Sequence, residues 1–158
     1  MSIEGEVAAL FFNPPDDKPA ISVNVLTFEL QGVFSNGGLD RWAGIMRVIN
    51  GVSLRNTEQW LAYSLDEVDN IMPEAEATLY IRGIKDFSCL PRGSRLHFPI
   101  HSVLKDEPEV GPTILSVEDQ KQLGLTGVVH QAGKIVVGDK VQIELYQAKR
   151  YHPGLKAL

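Results

Sequence analysis

The chain has 158 residues, with 15 lysines and arginines against 20 aspartates and glutamates, a net charge of −5 and a pI near 5.3. That length suits one domain with a core that needs no covalent staples. The acidic balance argues against nucleic acid, whose phosphates demand clustered lysine and arginine.

The apolar share of 44% and the charged share of 22% are ordinary for a globular protein. No apolar run approaches the ~20 residues of a membrane span. Met1 to Glu6 carries Glu4 and Glu6 and no basic run, so it does not read as a signal peptide. The single cysteine, Cys89, allows neither an internal disulfide nor a zinc site by itself. A reducing compartment fits that usage, and a cytoplasmic location is expected by elimination.

Gly5 to Phe12 turns apolar after a charged start and predicts a first strand. Asn13 to Pro19 holds three prolines and reads as a turn. Ile21 to Leu30 mixes β-branched and aromatic residues and predicts one strand. Gly32 to Gly44 reads as a loop around Asn36-Gly37-Gly38. Gly44 to Val52 predicts a further strand, and Thr57 to Tyr63 fits strand or helix. Ser64-Leu65-Asp66-Glu67 has the capping-box pattern and predicts a short helix to about Met72, where Pro73 stops it. Ala77 to Arg82 and Arg95 to Phe98 read as strands, separated by the turn Leu90-Pro91-Arg92-Gly93-Ser94. Lys105 to Pro112 is a polar loop. Ser116-Val117-Glu118-Asp119 predicts a second short helix ending at Gly124. Thr126 to His130, Lys134 to Val137 and Lys140 to Tyr146 read as strands, and the last alternates through Val141, Ile143 and Leu145. The basic tail after Gln147 is expected to fray.

The sum is seven or eight strands and two short helices, an all-β chain. Strands do not alternate with long helices, so a doubly wound parallel sheet is not expected. A closed or nearly closed barrel hides strand edges and fits many short strands with glycine turns.

No complete catalytic set stands out. Cys89 has apolar flanks, Phe87 and Leu90, and reads first as a plain thiol. His97 and His101 are four apart, but Pro99 lies between them. In extended chain that spacing is about 13 Å, too far for one ion, so no metal site is assigned. His130 and His152 read as ordinary polar residues. Asp16-Asp17 and Asp106-Glu107 read as solvated turns. Gly37-Gly38 and Gly124-Leu125-Thr126-Gly127 lack the frame of a phosphate loop. Trp42 and Trp60 read as core.

Several stretches together resemble the MOSC domain, the β-barrel module related to the C-terminal part of molybdenum cofactor sulfurase. They are Gly5 to Pro14, Arg55 to Trp60 with Ser64 to Glu67, Ala77 to Ser88 with Leu90 to Leu96, and Gly127 to Val129 with Gly133 to Val141. Their ordered succession over nearly the whole chain carries the resemblance. It implies a MOSC-like barrel over 1–148 with a tail over 149–158. It also implies a family role in molybdenum cofactor binding or sulfur transfer through a cysteine that follows a proline in the loop after the Phe98 strand.

In this chain Glu109 stands about where that thiol belongs, and a carboxylate forms no persulfide. The family's Gly-Asp-x-His-x-Gly segment is replaced by Gly32 to Gly38, and an arginine before the Gln-Trp pair by Glu58. The expected role is therefore binding or scaffolding on an eroded site, with no catalytic residue assigned. The alternative is an active molybdenum-cofactor or sulfur carrier that uses Cys89. The candidate pocket comprises Asn36, Arg55, Asn56, Glu58, Glu107 and Glu109. No cofactor follows from the residues themselves; the molybdenum cofactor is implied by the resemblance alone. A protein partner or a small ligand is expected, and neither nucleic acid nor membrane.

Overall fold

The computed structural model describes residues 3–15, 18–35, 38–40, 47–49, 52–54, 59–68, 70–71, 77–101, 112–121 and 123–146. Among them the chain is all-β. In chain order the strands are β1 (Ile3–Phe12), β2 (Ile21–Val23), β3 (Val25–Glu29), β4 (Gly32–Ser35), β5 (Gly38–Leu39), β6 (Arg47–Ile49), β7 (Val52–Leu54) and β8 (Trp60–Ser64). They continue as β9 (Leu79–Arg82), β10 (Arg95–His97), β11 (Ile114–Lys121), β12 (Gly124–Gln131), β13 (Gly133–Val136) and β14 (Lys140–Glu144). A 3-10 turn covers Phe87–Cys89.

The main sheet runs β14-β10-β11-β12-β8-β9-β1, and β1 pairs back onto β14, with Ile3 opposite Ile143 and Glu6 opposite Lys140. This pairing closes a seven-stranded barrel, with β2 attached to β1 as a branch. All its neighbours are antiparallel except β8 and β9. Closure satisfies the backbone groups that an open sheet would leave at its two edges.

Side chains alternate across the wall as strand geometry requires. Val7, Leu10, Leu79, Ile81, Leu96, Leu115, Val117, Leu125, Val129 and Val141 share one buried interior cluster. Phe87, Ile84 and Leu90 join it from the segment after β9 and plug one end.

A second sheet, β13-β3-β4-β5, covers the other end. Its Leu26, Phe28, Val33 and Ile135 belong to the same interior cluster as the barrel residues. β13 follows β12 after one residue, Ala132, and pairs along its length with β3, from Gly133 opposite Phe28 to Val136 opposite Val25. Gln59 fastens the two sheets together. Its amide donates to the Leu30 carbonyl at 2.9 Å and accepts from the Val129 amide at 2.8 Å.

Neither predicted helix forms among the described residues. At Ser64 the backbone makes a turn: the Glu67 and Val68 amides both donate to the Ser64 carbonyl. The Ser64 hydroxyl accepts from Asp66 at 3.1 Å rather than from Glu67. Glu67 does not reach back to Ser64; its carboxylate accepts from the Ser88 amide and hydroxyl instead. Met72 lies outside the described residues.

The second predicted helix, from Ser116, is strand β11. Period-two burial wins over the capping pattern: Leu115 and Val117 face the core, and Ser116 and Glu118 face outward. Gly124, at φ +126°, ends the hairpin turn rather than a helix.

The Gly32–Gly44 loop is instead partly a hairpin, β4 with β5, with Phe34 opposite Leu39. The single strand predicted over Ile21 to Leu30 is broken at Asn24 into β2 and β3. The strand predicted over Gly44 to Val52 is the short pair β6 and β7. Thr57 to Tyr63 resolves as strand, in β8. With these extra pieces the strand count rises to fourteen among the described residues. Most of the Lys105–Pro112 loop and the whole 149–158 tail lie outside them.

Candidate functional site

The barrel has two chemically different ends. At the end covered by the small sheet, β1 and β12 finish and β8, β9 and β11 begin. Buried polar residues stand there, among them Asn13, Asp40 and Gln59. The Asn13 amide donates to the Asp40 carboxylate at 2.7 Å, and its side-chain amide donates to the Ala77 carbonyl at 3.1 Å. These contacts join the ends of β1 and β5 and the approach to β9. Buried polar groups are tolerated when partnered in this way. Among the described residues the Asn13 side-chain oxygen has no hydrogen-bond partner.

The candidate pocket residues Asn36, Arg55, Asn56, Glu58, Glu107 and Glu109 all lie outside the described residues. Several of their described neighbours belong to the covered end: Ser35 ends β4 in the small sheet, Gln59 precedes β8, His101 follows β10, and Pro112 precedes β11; Leu54, before Arg55, ends β7. The His101 ring meets the Asp139 carboxylate at 2.7 Å, and the same oxygen accepts the Val136 amide at 2.8 Å. This pair ties the chain after β10 to the turn between β13 and β14.

Cys89 is at the opposite end. It is exposed, and its amide donates to the Asp86 carbonyl at 2.9 Å. Its neighbours Ser88 and Leu90 are held by Glu67, beyond the last residue of β8, and by Gln120 near the end of β11. A charged group bonded to the residue before the thiol is thus the Glu67 carboxylate, the wrong sign for holding an anionic cofactor.

The described histidines His97 and His101 have separate direct partners. His97 pairs with Glu144 at 2.9 Å, His101 with Asp139, and His130 is exposed on β12. Among the described residues no group of three or more His, Cys, Asp or Glu is placed to hold a metal. Glu144 is held below the ordinary glutamate pKa, first by its hydrogen bond from His97 and then by the charges of His97, Arg95 and His130. Trp60 is core; its indole N–H donates to the Val128 carbonyl at 3.0 Å. Trp42, His152, Asp16-Asp17 and Asp106-Glu107 lie outside the described residues.

The outer face of the small sheet carries a groove of about 460 Å³, lined in part by Val25, Thr27, Phe34, Ser35 and Lys134. Lys134 pairs across to Thr27, and Thr27 across to Phe34, so a cation, a hydroxyl and an aromatic ring stand in one row over three strands. The volume falls in the range of small-molecule sites.

The sequence reading passed over Lys134 and Thr27, although the alternation of Leu26 and Phe28 with Val25 and Thr27 already separates the two faces. What brings Lys134 opposite Thr27 is a pairing between strands about a hundred residues apart, which no local signal records.

The chain is similar in fold to the YUAD protein from Bacillus subtilis. The likeness covers 93% of this chain and 99% of that one, with a TM-score of 0.72 and 18% sequence identity. At that identity it speaks for the architecture alone. No family model matches the chain, and no curated protein matches it.

Proposed function

We propose that this chain is a MOSC-like barrel that acts as a binding module, holding a small ligand or a partner at the end covered by the small sheet, without sulfur-transfer chemistry. One observation carries the reading: the single thiol stands at the far end of the barrel from Ser35, Gln59, His101 and Pro112, which flank the candidate pocket. A thiol there serves neither that pocket nor the groove.

The alternative, a molybdenum-cofactor or sulfur carrier through Cys89, is favoured by the exposure of the thiol. Its surroundings do not fit the cofactor. The Glu67 carboxylate is bonded to the adjacent residue, where a phosphate-bearing group would need a cation.

The test compares wild type and Cys89→Ser purified from cells that make the cofactor, by metal analysis and native mass spectrometry. The binding reading predicts the same bound species on both and no stoichiometric molybdenum. Molybdenum on the wild type that is lost from Cys89→Ser would overturn it.

A further inference from the structure

The groove on the outer face of β13-β3-β4 has a definite chemical sign. Among its described lining residues the charged one is the cation Lys134. Among the described residues Lys134 makes no ion pair, and the Thr27 and Ser35 hydroxyls make no side-chain hydrogen bond. Phe34 is half-buried and Val25 exposed, so the groove pairs an apolar floor with a cation about two strand spacings, or ~10 Å, away.

The cleft of about 260 Å³ at the other end makes a useful contrast. There Arg95 lies directly opposite Glu144 and its charge is compensated within the wall. In the groove on the small sheet no described lining residue offsets Lys134.

We propose that this groove binds a small organic anion: a carboxylate on a compact aromatic or branched apolar body. Lys134 takes the carboxylate, the Thr27 hydroxyl beside it donates to the same end, and the Phe34 ring takes the body. This rests on the binding-module reading and names its ligand class. A neutral ligand forfeits the charge interaction with Lys134. A cationic ligand meets like charge and no carboxylate among the described lining residues. The chain's net charge of −5 repels anions in general, so selectivity has to come from this local cation and weakens with added salt.

Four probes separate the contributions. Phenylacetate, phenylacetamide and phenethylamine share a ring and carry charges of opposite sign or none; acetate lacks the ring. Each is titrated into the full chain at low ionic strength while amide resonances are followed. Phenylacetate is expected to shift the Thr27, Phe34 and Lys134 amides, phenylacetamide about fivefold more weakly, and the amine and acetate least. Lys134→Gln is expected to remove the preference for acid over amide, Lys134→Arg to retain it, and Phe34→Ala to weaken every ring-bearing probe.

Both positions face outward, so folding is retained, and the unchanged resonances of β11 and β12 verify it. Equal binding of acid and amide, or shifts that avoid β3, β4 and β13, would overturn the proposal. Its failure is separable from that of the binding reading, which falls only on molybdenum that depends on Cys89.

Discussion

Gln59 shows how one buried side chain holds two sheets in place. Both ends of its amide are used, one on the Leu30 carbonyl and one on the Val129 amide, and the residue is buried. Gln59→Leu leaves the Val129 N–H buried without its acceptor, which costs about 1–3 kcal/mol. The urea midpoint is expected to fall accordingly with an unchanged slope. Gln59→Glu keeps an acceptor for Val129 and loses the donor to Leu30, so it separates the two bonds.

Glu144 gives a prediction in pH. Its carboxyl titrates below the ordinary glutamate value because His97 hydrogen-bonds to the charged form and His97, Arg95 and His130 add favourable charge. A depressed carboxyl stabilises the fold above its unfolded pKa and loses that contribution as pH falls through the folded one. His97→Ala is expected to raise the Glu144 midpoint toward the ordinary value in a carboxyl-detected NMR titration. An unmoved midpoint would mean that the 2.9 Å contact is not what depresses it.

At the scale of the element, the β11–β12 hairpin depends on a glycine with no room for a side chain. A Cβ on Gly127 would sit 1.9 Å from the Ser116 carbonyl oxygen and 2.6 Å from the Trp60 ring. Gly127→Ala must force β12 away from β11 or Trp60 out of the core, at about 3 kcal/mol or more. Gly138, at φ +96° with open space around it, is the control. Gly138→Ala meets only backbone strain, about 1–2 kcal/mol. Thermal unfolding of the two variants is expected to rank them in that order; equal losses would mean that β11 and β12 relax apart cheaply.

The same hairpin shows what the sequence makes legible. The inward Leu115 and Val117 are visible as period-two apolar positions. Ser116 to Asp119 also satisfies a helix-start pattern, and only the pairing with β12 decides between them. Ser64 to Glu67 misleads for a related reason. Its glutamate spends its carboxylate on Ser88, 21 residues away, so a locally complete capping pattern is drawn into a tertiary contact. A strand with a buried face and an exposed face, such as β14, is readable from its own residues.

For the whole molecule, the many short strands and glycine turns already point to the closed barrel that forms, but which strands meet to close it and where the site lies are withheld. β1 meets β14 across most of the chain, and the contact leaves no mark in either strand alone. The Cys89 position is a similar case. Its exposure and its distance from the covered end follow from how the segment after β9 folds over Phe87 to plug the barrel. Lys134 becomes a candidate ligand group only once β13 is laid against β3.

The most direct test uses the chain's single cysteine. With a nitroxide on Cys89, paramagnetic broadening of amide resonances maps distance from the thiol without further mutation. The structure predicts the strongest broadening at Ser88, Glu67 and Gln120, and the weakest at Asn13, Asp40 and Lys134. Broadening at Asn13 and Asp40 as strong as at Ser88 would place the thiol at the covered end and contradict a binding site that works without it.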